Sequence, residues 1–316
     1  VTTGTLTPGQ LRAERWRLRV RGWRESAGRF ARRREAVVGA LILAFFTVLA
    51  LFPDFIVGPL QTAVTATGDR LEPPSLAHPL GTDNLGRDML NRTVHGARIS
   101  MAIGLLATFV TVAVGVLVGI VAGFVGGRTD AFLMRITDFF LVIPTFVLAL
   151  VLAPIIADAI GPDFAFFGIE LNLIVIVVVI GITSWSSTAR IVRSQTLSIR
   201  ERAFVDRARA IGAGGGWIMR KHILPNVTNL IVANAVLVFA GAVLTETTLA
   251  FVGLGNPFSP SWGQTLNEAQ NGGAASLGTW WWFVPPGACI VLVVLAFTLV
   301  GGALDDILNP RRRARR

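Results

Sequence analysis

Residues 173–182 read LIVIVVVIGI, a run with no polar face at either the helical or the strand period. Long apolar stretches recur near residues 36–56, 98–125, 134–157, 171–192, 229–252 and 281–304. A helix needs about 20 mostly apolar residues to cross the hydrocarbon of a bilayer, and each stretch reaches that length. A barrel strand would instead alternate over about ten residues. The pattern predicts an all-α polytopic membrane protein with six transmembrane helices.

Composition agrees. Of 316 residues, 53% are hydrophobic and 15% charged, more apolar surface than a soluble domain can cover. The net charge of +10 raises nucleic-acid binding as a class, and the placement of the charge excludes it. Ten Arg lie in 1–35, two in 126–135, eight Arg or Lys in 190–222 and five Arg in 311–316. The intervals 158–170 and 253–280 have none, and the four Arg in 57–98 are offset by Asp69, Glu72, Asp83 and Asp88. Basic and non-basic connections alternate as the positive-inside rule requires, which predicts that both termini and the 190–222 segment are cytoplasmic. The first apolar stretch is too long for a signal peptide and lacks a small-residue cleavage site, so it is expected to be a retained helix.

The polar intervals predict local features. In the tail, Trp16, Val20, Trp23, Ala27 and Phe30 recur at three- and four-residue steps among arginines, the pattern of an interfacial amphipathic helix. Gly81, Asn84 and Gly86 predict an ordered external loop, in which His78, Asp83 and Asp88 match no metal-ligand spacing and are expected to cap turns. Ala107, Thr111, Gly115, Gly119, Gly123 and Gly127 form a small-residue stripe suited to close helix packing. Arg135 and Asp138 share a helical face, where they are expected to pair or to contact a neighbour, and Pro144 and Pro154 predict kinks in the third span. Glu246 lies six residues inside Val252, about 9 Å from that end of its helix. It reads either as a pathway residue or as an interhelical hydrogen-bonding group. The interval 253–280 is rich in turn residues and carries only Glu268 as a charge, and Trp280, Trp281 and Trp282 are expected to mark the outer interface.

Catalytic chemistry is not evident. A phosphate-binding loop needs a Lys after a Gly-rich turn, and the only Lys, Lys221, follows Arg220. The lone cysteine, Cys289, has no disulfide or metal partner at useful spacing. The chain is expected not to be an enzyme, to bind no metal, and to leave any ATP to a partner.

One polar segment carries a specific signature. Residues 201–225 read ERAFVDRARAIGAGGGWIMRKHILP. Within it Asp206, Arg207, Ala208, Gly212, His222, Leu224 and Pro225 resemble the EAA loop by which permeases of ATP-binding-cassette (ABC) importers dock onto their ATPase. Asp206 stands where the usual residue is Glu, and Arg207 where it is Ala. Three further stretches, 78–100, 251–263 and 285–310, resemble the C-type permease of dipeptide/oligopeptide/nickel importers. Thr298, Gly302 and Asn309 depart from that family, which often has Asn, Asp and Asp there.

The resemblance implies a type I ABC importer permease (MetI-like) fold in the bacterial plasma membrane. It implies a second homologous permease, cytoplasmic ABC ATPase subunits or domains that hold ATP and Mg, and an extracytoplasmic solute-binding protein. It divides the chain into a basic tail (1–35), a first helix with external loop (36–97), a five-helix core (98–310) with a coupling loop at 194–228, and a basic C-terminal tail (311–316). The loop then needs a stiff helix over 199–211, a left-handed turn at Gly212 and a stop at Pro225. Peptides are the default cargo, with nickel, glutathione-like compounds and haem open. The alternative class is a self-contained secondary transporter or channel. It would show an internal repeat and several buried coupling residues, against the single clear carboxylate Glu246.

Overall fold

A computed structural model describes residues 28–160, 171–256 and 259–308. Of the expected tail helix, Trp16, Val20, Trp23 and Ala27 lie outside the described residues, and Phe30 lies in a short helical turn before α1. The chain runs α1 (Arg34–Leu51), α2 (Pro53–Val57), α3 (Met89–Val125), α4 (Gly127–Val142), α5 (Thr145–Ile160), α6 (Leu171–Arg200) and α7 (Ala203–Ala210). It continues through α8 (Gly215–Ile218), a wide turn (Met219–Ile223), α9 (Leu224–Leu249), a second wide turn (Ala250–Leu254), α10 (Trp262–Asn271), α11 (Ala274–Leu277) and α12 (Trp280–Leu308). Among the described residues five helices are long and apolar enough to cross a membrane, and six if the bent pair α4–α5 counts as one span. The chain is a multi-pass membrane protein.

The third apolar stretch departs from a single kinked span. It is two helices meeting at 95°. Pro144 lacks an amide donor and disfavours helical backbone at the residue before it, and Ile143 is extended (φ −81°, ψ 126°). Pro154 stays inside α5. The difference is one of neighbours: Pro144 falls where the chain can turn, whereas Pro154 lies within a continuous apolar helix.

The second span begins earlier than its apolar residues do. Asp88 accepts from the Asn91 amide at 3.0 Å, capping α3 at Met89 while its first two turns are still polar. Gly126 (φ +73°) ends it, so Gly127 belongs to α4 and not to the small-residue stripe. The rest of the stripe packs on α6. A Cβ at Gly115 would lie 2.6 Å from Thr188 Cβ, and one at Gly123 would lie 2.8 Å from Thr196 Cβ. This seam places α3 at the centre of the bundle.

Four apolar clusters stack along the bundle. One joins α3, α5, α6 and α9 through Ile103, Ala149, Val179 and Ala242. A second, at the basic end where α6 terminates, gathers Ile120, Val192, Val205, Ala208, Ile218 and Ile223. At the opposite end Phe46, Phe239, Trp262 and Val293 tie α1, α9, α10 and α12 together, with Met89, Ala269 and Trp282 beyond them.

Candidate docking loop and polar clusters

The loop at the basic end is two helices folded on a shared apolar floor. α6 ends at Arg200, and the chain turns at Glu201 and Arg202 before α7. The single stiff helix expected over 199–211 is therefore broken. The Arg200 guanidinium reaches back to the carbonyls of Gly123 and Phe124 at 3.3 and 3.4 Å, capping the end of α3. Beyond α7, Gly212 takes φ +82°, a left-handed conformation suited to glycine, and Ala213 donates to the Ala208 carbonyl at 3.0 Å.

Each residue singled out in this segment has a distinct place. Asp206 is exposed and accepts from Arg209 at 3.2 Å. Arg207 is exposed and its Nε reaches the Ala203 carbonyl at 3.4 Å. Ala208 is buried at 5% exposure, against Val205, Ile218 and Ile223. Its small size suits the loop's own packing, because the i, i+3 spacing from Val205 turns both inward. His222 sits between Phe204 and Trp217, with ring centroids 5.7 and 5.2 Å away. Leu224 and Pro225 are exposed. Pro225 does not stop the second piece: α8, the wide turn and α9 run on from Gly215 to Leu254. Pro225 lies in the first turn of α9, where its missing amide costs least, and the turn before it widens. The outer face of the loop then presents Ile211 at 82% exposure, Trp217 at 50% and Phe204 at 36%, among Arg202, Arg207, Arg209, Arg220 and Lys221.

The loop is braced against the bundle. Arg209 lies over the Phe124 ring at 5.6 Å from its centroid. Arg193 of α6 grips Asp130 of α4 with two hydrogen bonds, 2.5 and 2.6 Å. Asp138 pairs with Arg190 of α6 at 2.6 Å, which satisfies the expected contact with a neighbour.

Glu246 is fully buried in α9, beside the Ser100 and Ser261 hydroxyls. Its Oε2 accepts from Thr247 at 3.4 Å, and its Oε1 has no partner among the described residues. α3, α9 and the start of α10 meet around this carboxylate.

Sequence reading missed the cap at this opposite end. Ser261 accepts from the Gln264 amide at 3.1 Å and starts α10 inside what reads as a loop. The Ser-x-x-Gln spacing of a capping box was its signal. Glu268 of α10 accepts from both Arg87 and Arg92 at 2.7 Å, and Asp83 binds Arg87 at 2.6 Å. His78 meets Asp88 at 2.8 Å, so the three polar residues of this hairpin serve as caps and pairs. Among the described residues no cluster fits a metal ion. Trp280 is half exposed, as at an interface. By contrast, Trp282 is fully buried and Trp281 donates to the Thr82 carbonyl at 3.1 Å, so these two pack the cap in place of a membrane belt.

Comparison with known proteins places this geometry. The family described as "Binding-protein-dependent transport system inner membrane component" matches residues 115–314, which include the whole loop. The "N-terminal TM domain of oligopeptide transport permease C" matches residues 22–74. The dipeptide transport system permease protein DppC of Bacillus subtilis is 34% identical over 90% of this chain and 84% of its own length. The oligopeptide transport system permease protein OppC of the same organism is 33% identical over 92% and 90%. The glutathione transport system permease protein GsiD of Escherichia coli is 34% identical over 92% and 90%. Among solved structures, the MetNI methionine ABC transporter in an inward-facing conformation aligns with a TM-score of 0.55 and 20% identity, over 70% of this chain and 97% of the matched one, which shows a shared fold. The chain belongs to the binding-protein-dependent transport system inner membrane components, the permease subunits of ABC importers.

Proposed function

We propose that this chain is one of two permeases of an ABC importer that carries peptides across the bacterial plasma membrane. ATP is bound and hydrolysed, with Mg, by partner ATPase subunits, and an extracytoplasmic binding protein delivers the cargo. The peptide cargo is supported by relatives named for dipeptide and oligopeptide transport that align along nearly the whole chain. Their glutathione counterpart, named for a small γ-linked peptide, fits the same cargo class.

One observation carries the mechanism. A basic helix–glycine–helix loop packs its underside onto α3 and α6 and leaves Ile211, Trp217 and Phe204 uncovered. Uncovered apolar side chains in a basic, water-facing loop mark a protein contact. In this reading the basic end is cytoplasmic and the loop is the ATPase contact. A push on α7 passes to α3 through Arg209 on Phe124 and through Arg200 on the end of α3. Closure of the ATPases on ATP thus biases a bistable bundle between inward-facing and outward-facing states.

The test is a cysteine at Ile211 and the variant Ile211→Asp in the complete transporter. The cysteine should crosslink to the ATPase subunit. The Asp variant should assemble its membrane subunits and lose ATP-driven peptide uptake. Full uptake by Ile211→Asp, together with no crosslink in any nucleotide state, would refute this assignment.

A further inference from the structure

The bundle contains a cavity separate from the docking loop. It measures about 320 Å³ and opens between the α4–α5 elbow, α6 and α9. Its volume is at the low end of the roughly 300–1,000 Å³ typical of small-molecule sites. Thr145, Thr183, Ser184, Ser186, Ser187 and Thr245 put hydroxyls on its wall, and no ionisable side chain lines it among the described residues. The remaining lining is apolar or glycine. At Gly241 a Cβ would meet nothing within 4 Å, so open space and not helix packing surrounds it.

The placement of these hydroxyls is informative. The tight α3–α6 seam sets Gly115, Gly119 and Gly123 against Thr188, Ala189, Val192 and Thr196, whereas Ser184, Ser186 and Ser187 of α6 line a void. Polar groups in an apolar span are costly without partners. Thr183 and Thr245 donate to their own helices, to Val179 and Gly241 carbonyls at 2.9 Å each, which keeps their oxygens available as acceptors. Charge near the wall is self-neutralised: Arg190, four residues beyond Ser186, pairs with Asp138 at 2.6 Å.

We infer that this cavity is this chain's share of the cargo path, and that its neutral hydroxyl wall passes peptides with little regard to their charge. The inference rests on the peptide-permease reading and deepens it. A hydroxyl donates and accepts, so it can serve a peptide N–H, a carbonyl, an ammonium or a carboxylate in turn. A fixed charge in a low-dielectric wall would hold one sign of peptide and repel the other. A path for cargo with variable side chains works best with neither.

The experiment adds charge after assembly, so that folding is not at issue. The complete transporter is reconstituted with Ser187→Cys and with Cys289→Ser, which removes this chain's own thiol, and Cys289→Ser alone is treated in parallel to subtract reaction at the partner subunits. It is then modified with a sulfonate-bearing or an ammonium-bearing methanethiosulfonate. ATP-driven uptake of Ala-Ala-Ala, Ala-Asp-Ala and Ala-Lys-Ala is compared before and after. Selection by the binding protein cancels, because each peptide is compared with itself. The sulfonate should lower uptake of the Asp peptide relative to the Lys peptide by about tenfold, and the ammonium should reverse the order. Equal effects on all three peptides would overturn the inference. So would failure of Ser187→Cys to react in the assembled transporter, since a partner chain would then cover the cavity. Absence of peptide uptake by the unmodified transporter is a different result and would refute the peptide-permease reading itself.

Discussion

Gly119 of α3 tests the central seam. An ideal Cβ at this position would lie 2.6 Å from the Ala189 carbonyl oxygen, 2.8 Å from Val192 Cβ and 3.0 Å from the Arg193 amide nitrogen. Ordinary contacts begin near 3.4 Å, so the shortfall is about 0.8 Å (3.4 − 2.6). Two of the three obstacles are backbone, so no rotamer change relieves the clash and α6 must move away from α3. Overpacking of a tight interior costs about 1–3 kcal/mol, partly offset by the roughly 0.5–1 kcal/mol that Ala gains over Gly within a helix. Gly119→Ala should therefore destabilise by about 1–2 kcal/mol, and Gly119→Leu by more. Gly302 of α12 is the control, since a Cβ there meets nothing within 4 Å. Gly302→Ala should show the helix gain alone, with the opposite sign. Thermal unfolding of the purified chain in detergent measures both. Equal stabilities of Gly119→Ala and Gly302→Ala would refute close helix packing as the reason for the stripe.

Three further outcomes are expected. Ala208→Trp should disrupt the loop from within, because Ala208 is buried under α7, and limited trypsin digestion should then cut at Arg207 or Arg209 faster than in the native chain. Unchanged digestion would mean that α7 does not pack as described. Removing either partner of the Asp130–Arg193 pair should cost more than replacing both with Leu, with a coupling of about 1–3 kcal/mol in a double-mutant cycle; additive losses would rule out the pair as a brace. Single cysteines at the exposed Ser75 and Ser276 should react with an impermeant thiol reagent added outside intact cells, and one at Ser198 should not; outside labelling of Ser198 would reverse the proposed orientation.

The candidate loop was legible in part. A basic segment between apolar spans, with a glycine after its first helix, announced an exposed turn, and Gly212 is left-handed as that turn requires. The orientation of Ala208 was not legible, because α7 is short and both of its faces look polar in sequence. Which face turns inward depends on Ile218 and Ile223, which arrive only after the glycine turn. Pro225 carried an ambiguous signal, since proline ends one helix as readily as it begins another. The hydroxyl-lined cavity gave no local signal. Its serines lie on α6 and its threonines on α5, α6 and α9, and they meet only when α4 and α5 fold apart at Pro144.

The sequence by itself determined that this chain is a helical membrane protein, because apolar length and arginine placement act segment by segment against a bilayer and need no tertiary contact. It also determined the family, through motifs spread along most of the chain. Tertiary structure alone decided the rest. It buried Trp282 against Met89 and Ala269 beneath the cap and joined Arg87 and Arg92 to Glu268. Each of these depends on groups far apart in the chain, whose pairing free energy appears only after the helices have packed.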